Sequence, residues 1–333
     1  MGVLEEAKRR MDQLTKPRGS LGDLEEVAVR LAALQGRLKP ELGRGAVVVA
    51  AADHGVVEEG VSAYPQEVTF QMVLNFLRGG AAINQLAQAA GAEVYVLDVG
   101  VRGELPDHPR LLKRKVRPGT ENLARRPAMT LEEAEKALWA GREAAQRAIR
   151  EGATLLAGGD MGIGNTTAAS ALTAALLGLS PKAVVGPGTG VGEEGLRRKQ
   201  EAVERALARL RGDESPLEVA AQLGGLELIA LAGVYLEGKE AGLPLVLDGF
   251  PVSAGGLLAV RMDPGVKDFL FAGHLSKEPG HRYILEALGL KPLLDLNLRL
   301  GEGTGAVLAF PLLRAAARIL HMATFREAGV SEG

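Results

Sequence analysis

The sequence has no cysteine. Disulfides, thiolate metal sites and a cysteine nucleophile are therefore excluded. Histidine is scarce, and the five present (His54, His108, His274, His281, His321) fall at no metal-like spacing. Aromatic residues make up 4% of the chain, and neither sign of charge dominates, the net charge being −2. A near-neutral balance argues against nucleic acid or an anionic membrane as the main partner. No charge-free run of about 18 apolar residues occurs, so no membrane span is expected. Residues 1–10 are charged and lack the apolar stretch of a secretory signal. The expectation is a soluble, cytoplasmic protein.

What the chain has instead is length, apolar residues and glycine: 333 residues, 47% hydrophobic, with 44 glycines. A chain of this size buries roughly 75% of the surface it exposes when unfolded. Residues 2–14 and 22–36 read as amphipathic helices joined by a turn punctuated with Pro and Gly, TKPRGSLG. Ala46–Asp53 (AVVVAAAD) is apolar up to its last residue, the mark of a strand buried on both faces. Further strands are expected at 93–101, 111–117, 154–158, 243–249, 268–272 and 292–300. Helices are expected at 67–77, 81–90, 130–150, 168–177, 193–211, 216–223, 225–240 and 306–322. Thr130 and Glu133 form a capping box at one helix start. Strands alternating with helices imply an α/β fold with a mainly parallel sheet and right-handed crossovers.

Three glycine-rich turns carry the candidate chemistry. Gly158–Thr167 (GGDMGIGNTT) lies between a strand and a helix. Its glycines, Gly162 and Gly164 among them, leave backbone N–H groups open, and the helix start adds positive potential. It reads as a loop for phosphate or carboxylate, with Asn165, Thr166 and Thr167 as further donors. It is not a Walker A loop, because no Gly-Lys-Ser/Thr follows. Gly186–Gly192 (GPGTGVG) is a second loop of this kind, containing Gly188, with Lys199 on the helix behind it. Lys199 becomes functional only if the two loops converge on one phosphate. The plain alternatives are a structural glycine turn and a solvated helix face.

The third turn, Leu300–Ala306 (LGEGTGA), sets Glu302 between glycines where a strand gives way to a helix. Glycine permits unusual backbone angles and close approach of a ligand. Ligands of open α/β sheets sit outside the carboxyl ends of strands. The plain alternative is an acid favouring a helix dipole. The stretch fits G-x-G-x-x-A formally, but a dinucleotide site needs a further strand with an acid about 20 residues on. Only a helix and a tail follow here, and a carboxylate would repel a pyrophosphate, so a dinucleotide-dependent dehydrogenase is rejected. Asp160 is a second carboxylate in a glycine loop. With Glu302 it can form a pair that titrates apart, one acting as base and the other as electrostatic stabiliser. Asp53-His54 reads as a loop brace, with a catalytic pair as the alternative. Asp98 and Asp248 read as structural caps at strand ends.

Together these stretches resemble one family. TKPRGSLGDL (15–24), ADHGV (52–56), EGVSAYPQEVT (59–69), LDVGV (97–101), DMGIGNTT (160–167), LDGF (247–250) and RLGEGTGA (299–306) occur in this order along the chain. The pattern is similar to that of the nicotinate-nucleotide:dimethylbenzimidazole phosphoribosyltransferases and covers nearly the whole sequence. DMGIGNTT and RLGEGTGA are its specific parts. The resemblance implies transfer of a 5-phosphoribosyl group from nicotinate mononucleotide to 5,6-dimethylbenzimidazole. The products are α-ribazole 5′-phosphate and nicotinate, in assembly of the cobalamin nucleotide loop. It further implies Glu302 as general base, a Rossmann-like three-layer fold with a small helical domain built from both chain ends, and a homodimer. No metal or redox cofactor is implied. The corresponding division is 1–40 for the N-terminal helical segment, 41–310 for the large α/β domain and 311–333 for the C-terminal helix and tail.

A flat, methylated bicycle needs an apolar slot, for which Tyr64, Phe70, Met72 and Met161 are candidates. Core packing is the alternative for Met72. One departure from the pattern is Asp160, where some relatives carry Glu; the shorter side chain reaches less far towards ribose or base. Two rival readings are a non-enzymatic protein that binds a nucleotide or cobamide intermediate, and a small-molecule kinase on a similar scaffold. The kinase lacks its Walker lysine and a paired-Asp magnesium site, and a binding protein has no need of Glu302 in a glycine turn.

Overall fold

The structure, a computed structural model, describes residues 2–331. Its strands are β1 (Gly45–Ala52), β2 (Ala92–Gly100), β3 (Leu111–Lys113), β4 (Leu155–Met161), β5 (Leu245–Leu247), β6 (Leu270–His274) and β7 (Pro292–Leu294). They form one seven-stranded sheet in the order β3-β2-β1-β4-β5-β6-β7. Every neighbouring pair is parallel. The helices are α1 (Val3–Gln13), α2 (Asp23–Gln35), α3 (Val68–Arg78), α4 (Ala82–Ala89), α5 (Leu131–Arg150), α6 (Asn165–Leu177) and α7 (Pro181–Val184). They continue with α8 (Glu193–Leu207), α9 (Pro216–Leu223), α10 (Leu226–Glu240), α11 (Phe250–Met262), α12 (Pro279–Leu288), α13 (Thr304–Ile319) and α14 (Phe325–Ala328). Among the described residues, no helix is long and apolar enough to cross a membrane.

The run GAVVVAAA shows why the sheet must be covered on both sides. Successive strand side chains point to opposite faces. Val48, Ala50 and Ala52 of β1 enter one core with residues of α5, α6 and α8–α12. Val47, Val49 and Ala51 enter the other with residues of α1–α4 and α13. All of β1 is buried. From β1 the chain moves outward to β2 and β3, then returns to the far side of β1 for β4. The carboxyl ends of β1 and β4 therefore flank the topological switch point, where open α/β sheets bind ligands.

The two chain ends meet. Leu14 and Thr324 form an antiparallel bridge, and Arg10 donates to the carbonyls of Leu320 and Met322 at 2.9 and 2.8 Å. The end helices do not enclose a core of their own: buried residues of α1, α2 and α13 are continuous with one face of the sheet. The expected boundary at 310/311 falls inside α13.

Several elements differ from expectation for physical reasons. The sequence gives no helical period at 250–262, because α11 is buried from Phe250 through Ala259; a helix apolar all round shows no stripe. α12 is likewise absent from the expected helices. The strand expected at 292–300 stops at Leu294, and residues 295–300 continue as irregular chain beside the cleft. The strand expected at 154–158 runs on to Met161, so Asp160 is a strand residue paired in register with Ala50 rather than part of a loop. Correspondingly, α6 starts at Asn165, not 168. Ala183 and Val184 lie in the one-turn helix α7, and Val185 caps it.

Helices α5 and α10 cross in close contact. A Cβ at Gly141 would collide with the Ala230 carbonyl, and one at Gly233 with the Leu138 carbonyl. Backbone meets backbone at both points, so neither neighbour can yield by changing rotamer. Gly141→Ala and Gly233→Ala should each lower stability by about 1–3 kcal/mol, measured by chemical denaturation. Gly152→Ala would add only left-handed backbone strain with nothing in contact and serves as the comparison.

Candidate active site

One cleft of about 440 Å³ opens at the switch point. Tyr64, Met72, Asp160, Met161, Gly162, Asn165, Thr166, Gly188 and Glu302, all singled out from the sequence, line it. That size lies within the usual range for small-molecule sites. Gly164 and Lys199 stand behind the wall. Gly164 caps α6 in a left-handed conformation, with φ +92°. Lys199 is fully buried, and its Nζ donates to Thr166 Oγ1 at 2.8 Å and the Gly186 carbonyl at 2.7 Å. The two glycine loops therefore do converge, through Lys199. Burial lowers the Lys199 pKa to about 8, against the pull of Glu278.

The apolar slot differs from expectation at one residue. Phe70 does not line the cleft; its ring packs over Gly103. Val68, Ile163, Phe250, Pro251 and Leu300 take up the apolar wall with Met72 and Met161. Tyr64 stands at the rim, 55% exposed. One Nδ2 proton of Asn165 is committed to Asp160 Oδ2 at 2.8 Å, which leaves the other for a ligand. Thr167 is fully buried and off the wall. Thr166 is better placed. Its Oγ1 accepts from Lys199, which leaves its own proton for a ligand.

Glu302 is held by its backbone. It has φ +65°, between Gly301 at +92° and Gly303 at +94°. A left-handed non-glycine residue costs about 1–2 kcal/mol, and such strain concentrates at functional sites. The carboxylate is largely buried. Its Oε2 accepts from the Ile83 N–H at 3.2 Å. Burial raises its pKa above the ordinary glutamate value, the Ile83 N–H opposes this, and the nearby Asp248 charge adds to it.

The residue that holds this turn is Asp248, at the end of β5. Its Oδ2 accepts from Gly303 N–H at 3.0 Å, and its Oδ1 from Gly305 and Ala306 N–H at 2.9 and 3.1 Å. His274 Nε2 lies 3.3 Å from Oδ1. Burial alone would raise the Asp248 pKa; His274 and the backbone donors outweigh it and hold the carboxyl below its usual value. The sequence reading of a structural cap is what this geometry shows. Asp160 goes the other way. Burial first, then the Asp248 charge, push it up to about 8, against Asn165; Glu227 and Glu302 add to the rise. Its Oδ1 is buried without a partner among the described residues. At neutral pH Asp160 is a protonated acid beside an ionisable base.

Residues that the sequence did not mark also line the cleft. His274 lies at a strand end that the sequence marks without a role. Ser276 and Glu278 sit in a segment without a glycine-turn signal, and Arg299 opens the RLGEGTGA stretch without a role of its own assigned from the sequence. Glu278 Oε1 accepts from the Gly188 N–H at 2.8 Å. Asp53 and His54 face away from the cleft. Asp53 Oδ2 accepts from the Arg102 N–H at 2.7 Å, a loop-bracing contact.

Comparison with known proteins shows the family. A family model described as Phosphoribosyltransferase matches residues 2–330. A Thermus thermophilus protein named nicotinate-nucleotide–dimethylbenzimidazole phosphoribosyltransferase is 81% identical over 331 residues, with 99% of each chain covered. A protein of the same name from Chromobacterium violaceum is 54% identical over 327 residues, covering 98% of this chain and 95% of that one. The crystal structure of CobT from Thermus thermophilus superposes with a TM-score of 0.99 at 80% identity, covering 99% of both chains. An α/β chain matched over this length, with its carboxylates and glycine loops gathered in one cleft, belongs to the phosphoribosyltransferase family.

Proposed function

We propose that the cleft transfers the 5-phosphoribosyl group of nicotinate mononucleotide to 5,6-dimethylbenzimidazole, releasing nicotinate and α-ribazole 5′-phosphate, with Glu302 as general base. The observation that carries this is the placement of Glu302. A carboxylate of raised pKa stands in one cleft with the Thr166–Gly188 loops and the Met72–Met161 apolar wall. The phosphate belongs at the loops and the flat bicycle at the apolar wall.

The chemistry follows from the charges. The donor's nicotinate ring is a pyridinium. When its bond to the ribose anomeric carbon breaks, the electron pair neutralises the ring nitrogen, so departure needs little acid assistance. One azole nitrogen bonds to that carbon and gains positive charge. The other nitrogen gives its proton to Glu302. A carboxylate whose pKa is raised towards working pH suits this transfer. Asp160, protonated at neutral pH, keeps a second negative charge out of the cleft, where it would repel the donor phosphate. The homodimer that the family resemblance implies belongs to the same proposal.

Glu302→Gln should retain nicotinate mononucleotide binding and lose about 10²–10⁴-fold in kcat, measured as nicotinate release. Full activity in this variant would remove Glu302 as base, and binding without turnover in the parent enzyme would favour a binding protein.

The pH profile follows from the two shifted acids. kcat/KM should rise with pH through the raised Glu302 pKa as the base ionises, and fall again near pH 8 as Asp160 ionises, its pKa being about 8. Asp160→Asn should abolish the alkaline fall and leave the acid limb in place. The same shift affects stability. A carboxyl whose folded pKa exceeds its unfolded value stabilises at low pH, and that contribution is lost as pH rises through the folded value. The melting temperature of Asp160→Asn relative to the parent should therefore increase between pH 5 and 8.

A further inference from the structure

His54 and Glu227 are fully buried and touch no reacting group, Glu227 entering above only as one of the charges that raise the Asp160 pKa. Their side chains meet at 2.7 Å, Nε2 to Oε1. Neither lines the cleft, and His54 Nδ1 and Glu227 Oε2 have no hydrogen-bond partner among the described residues. Keeping such a pair out of water is expensive, and a well-packed apolar replacement of similar volume is often no worse. Packing alone is therefore a poor reason for it.

What the imidazole touches supplies a better one. His54 follows β1, and the Gly162–Gly164 turn lies across its ring. A Cβ at Gly162 would stand 3.1 Å from His54 Nε2 and would also collide with the Ala52 carbonyl at the end of β1. A Cβ at Gly164 would stand 3.4 Å from His54 Cβ. On the ring's other side is Gly225, where a Cβ would lie 3.2 Å from Nδ1 and collide with Cε1. The ring is thus wedged between the cleft-lining turn and the start of α10. Glu227, in the first turn of α10, fixes its rotation. The turn's other ties are few: the Ile163 N–H donates to Thr69 Oγ1 at 3.0 Å, the Asn165 N–H to the Gly162 carbonyl at 3.0 Å and the Thr167 N–H to the Gly164 carbonyl at 3.2 Å.

We propose that His54 and Glu227 form a buried positioning pair that sets the height of the Gly162–Gly164 turn beneath the donor's phosphoribosyl group. The proposal rests on the reading that this turn faces the donor phosphate. Glu227 fixes the ring, the ring supports Gly162, and Gly162 presents the loop. A displaced turn misplaces the donor and reaches the apolar acceptor wall only through Ile163, leaving Val68, Met72, Phe250, Pro251 and Leu300 in place.

The test separates the two substrates. Glu227→Leu removes the acceptor that fixes the ring, and His54→Gln keeps a donor for Glu227 but removes the ring under Gly162. Both should raise KM for nicotinate mononucleotide about 10–100-fold, with KM for dimethylbenzimidazole within about twofold of the parent. Glu227→Gln, which keeps the acceptor oxygen, should restore the parent's donor KM. A lowered melting temperature with both KM values unchanged, or an equal rise in both, would make the pair merely structural. If Glu227→Leu does not fold, His54→Gln decides between these outcomes. Inorganic phosphate tests the underlying reading separately in the parent enzyme, where it should compete with nicotinate mononucleotide and not with dimethylbenzimidazole. Absence of that competition removes the phosphate placement; competition with unchanged donor KM in the variants removes only the positioning role.

Discussion

Asp248 sits at the end of β5, almost wholly buried, and accepts three backbone N–H groups from the start of α13. Those groups would otherwise be the unsatisfied donors that every helix start leaves. Satisfying them with a carboxylate at the sheet's carboxyl edge fixes the rotation and height of α13 relative to β5. The residue just before that start is Glu302, whose carboxylate therefore has its place decided by a bond it does not make. His274 completes the arrangement from β6, 3.3 Å from the same carboxylate. Two neighbouring strands and the helix that follows thus converge on one buried anion.

The same anion sorts the other carboxylates. Asp160, Asp248 and Glu302 share one low-dielectric region, and like charges there cannot all ionise at neutral pH. Asp248 has the donors, so it keeps the negative charge. Its field then raises Asp160 and Glu302 above their ordinary values, adding to the larger effect of burial. Asp160, the more fully desolvated, is raised furthest. The outcome is a neutral acid and a poised base from two similar side chains, distinguished by their surroundings.

Much of this was legible in the sequence, and what was not has identifiable causes. The continuous apolar run of β1 announces a sheet covered on both faces. Glycine-rich turns mark Gly162, Gly188 and Glu302, because a ligand-facing turn imposes a local backbone requirement that composition records. Lys199 is legible only conditionally, since its role depends on two loops meeting. Helix α11 is hidden because burial on every side removes the periodic signal. Asp160 reads as a loop residue although it lies in a strand, because glycines within β4 mimic a turn. Glu278, Ser276 and the Glu227 partner of His54 carry no local signature at all. Their positions follow from which segments the sheet order brings together, and residues 173 positions apart leave no pattern in a window of sequence.

The strain at Glu302 can be weighed against what holds it. Its left-handed backbone costs about 1–2 kcal/mol, whereas a hydrogen bond to a charged group contributes about 1.5–3 kcal/mol. Three such bonds to Asp248 exceed the strain several times over, so the turn stays formed without help from the Glu302 side chain. Glycine at 302 would relieve the strain and keep all three bonds, since each is made by a backbone group of another residue. A fold selected for stability alone would therefore place glycine there. Glutamate at 302 instead presents a carboxylate to the cleft from a turn whose conformation other residues hold. Among the described residues its carboxylate accepts one hydrogen bond, from the Ile83 N–H, and the other oxygen stays open to take a proton.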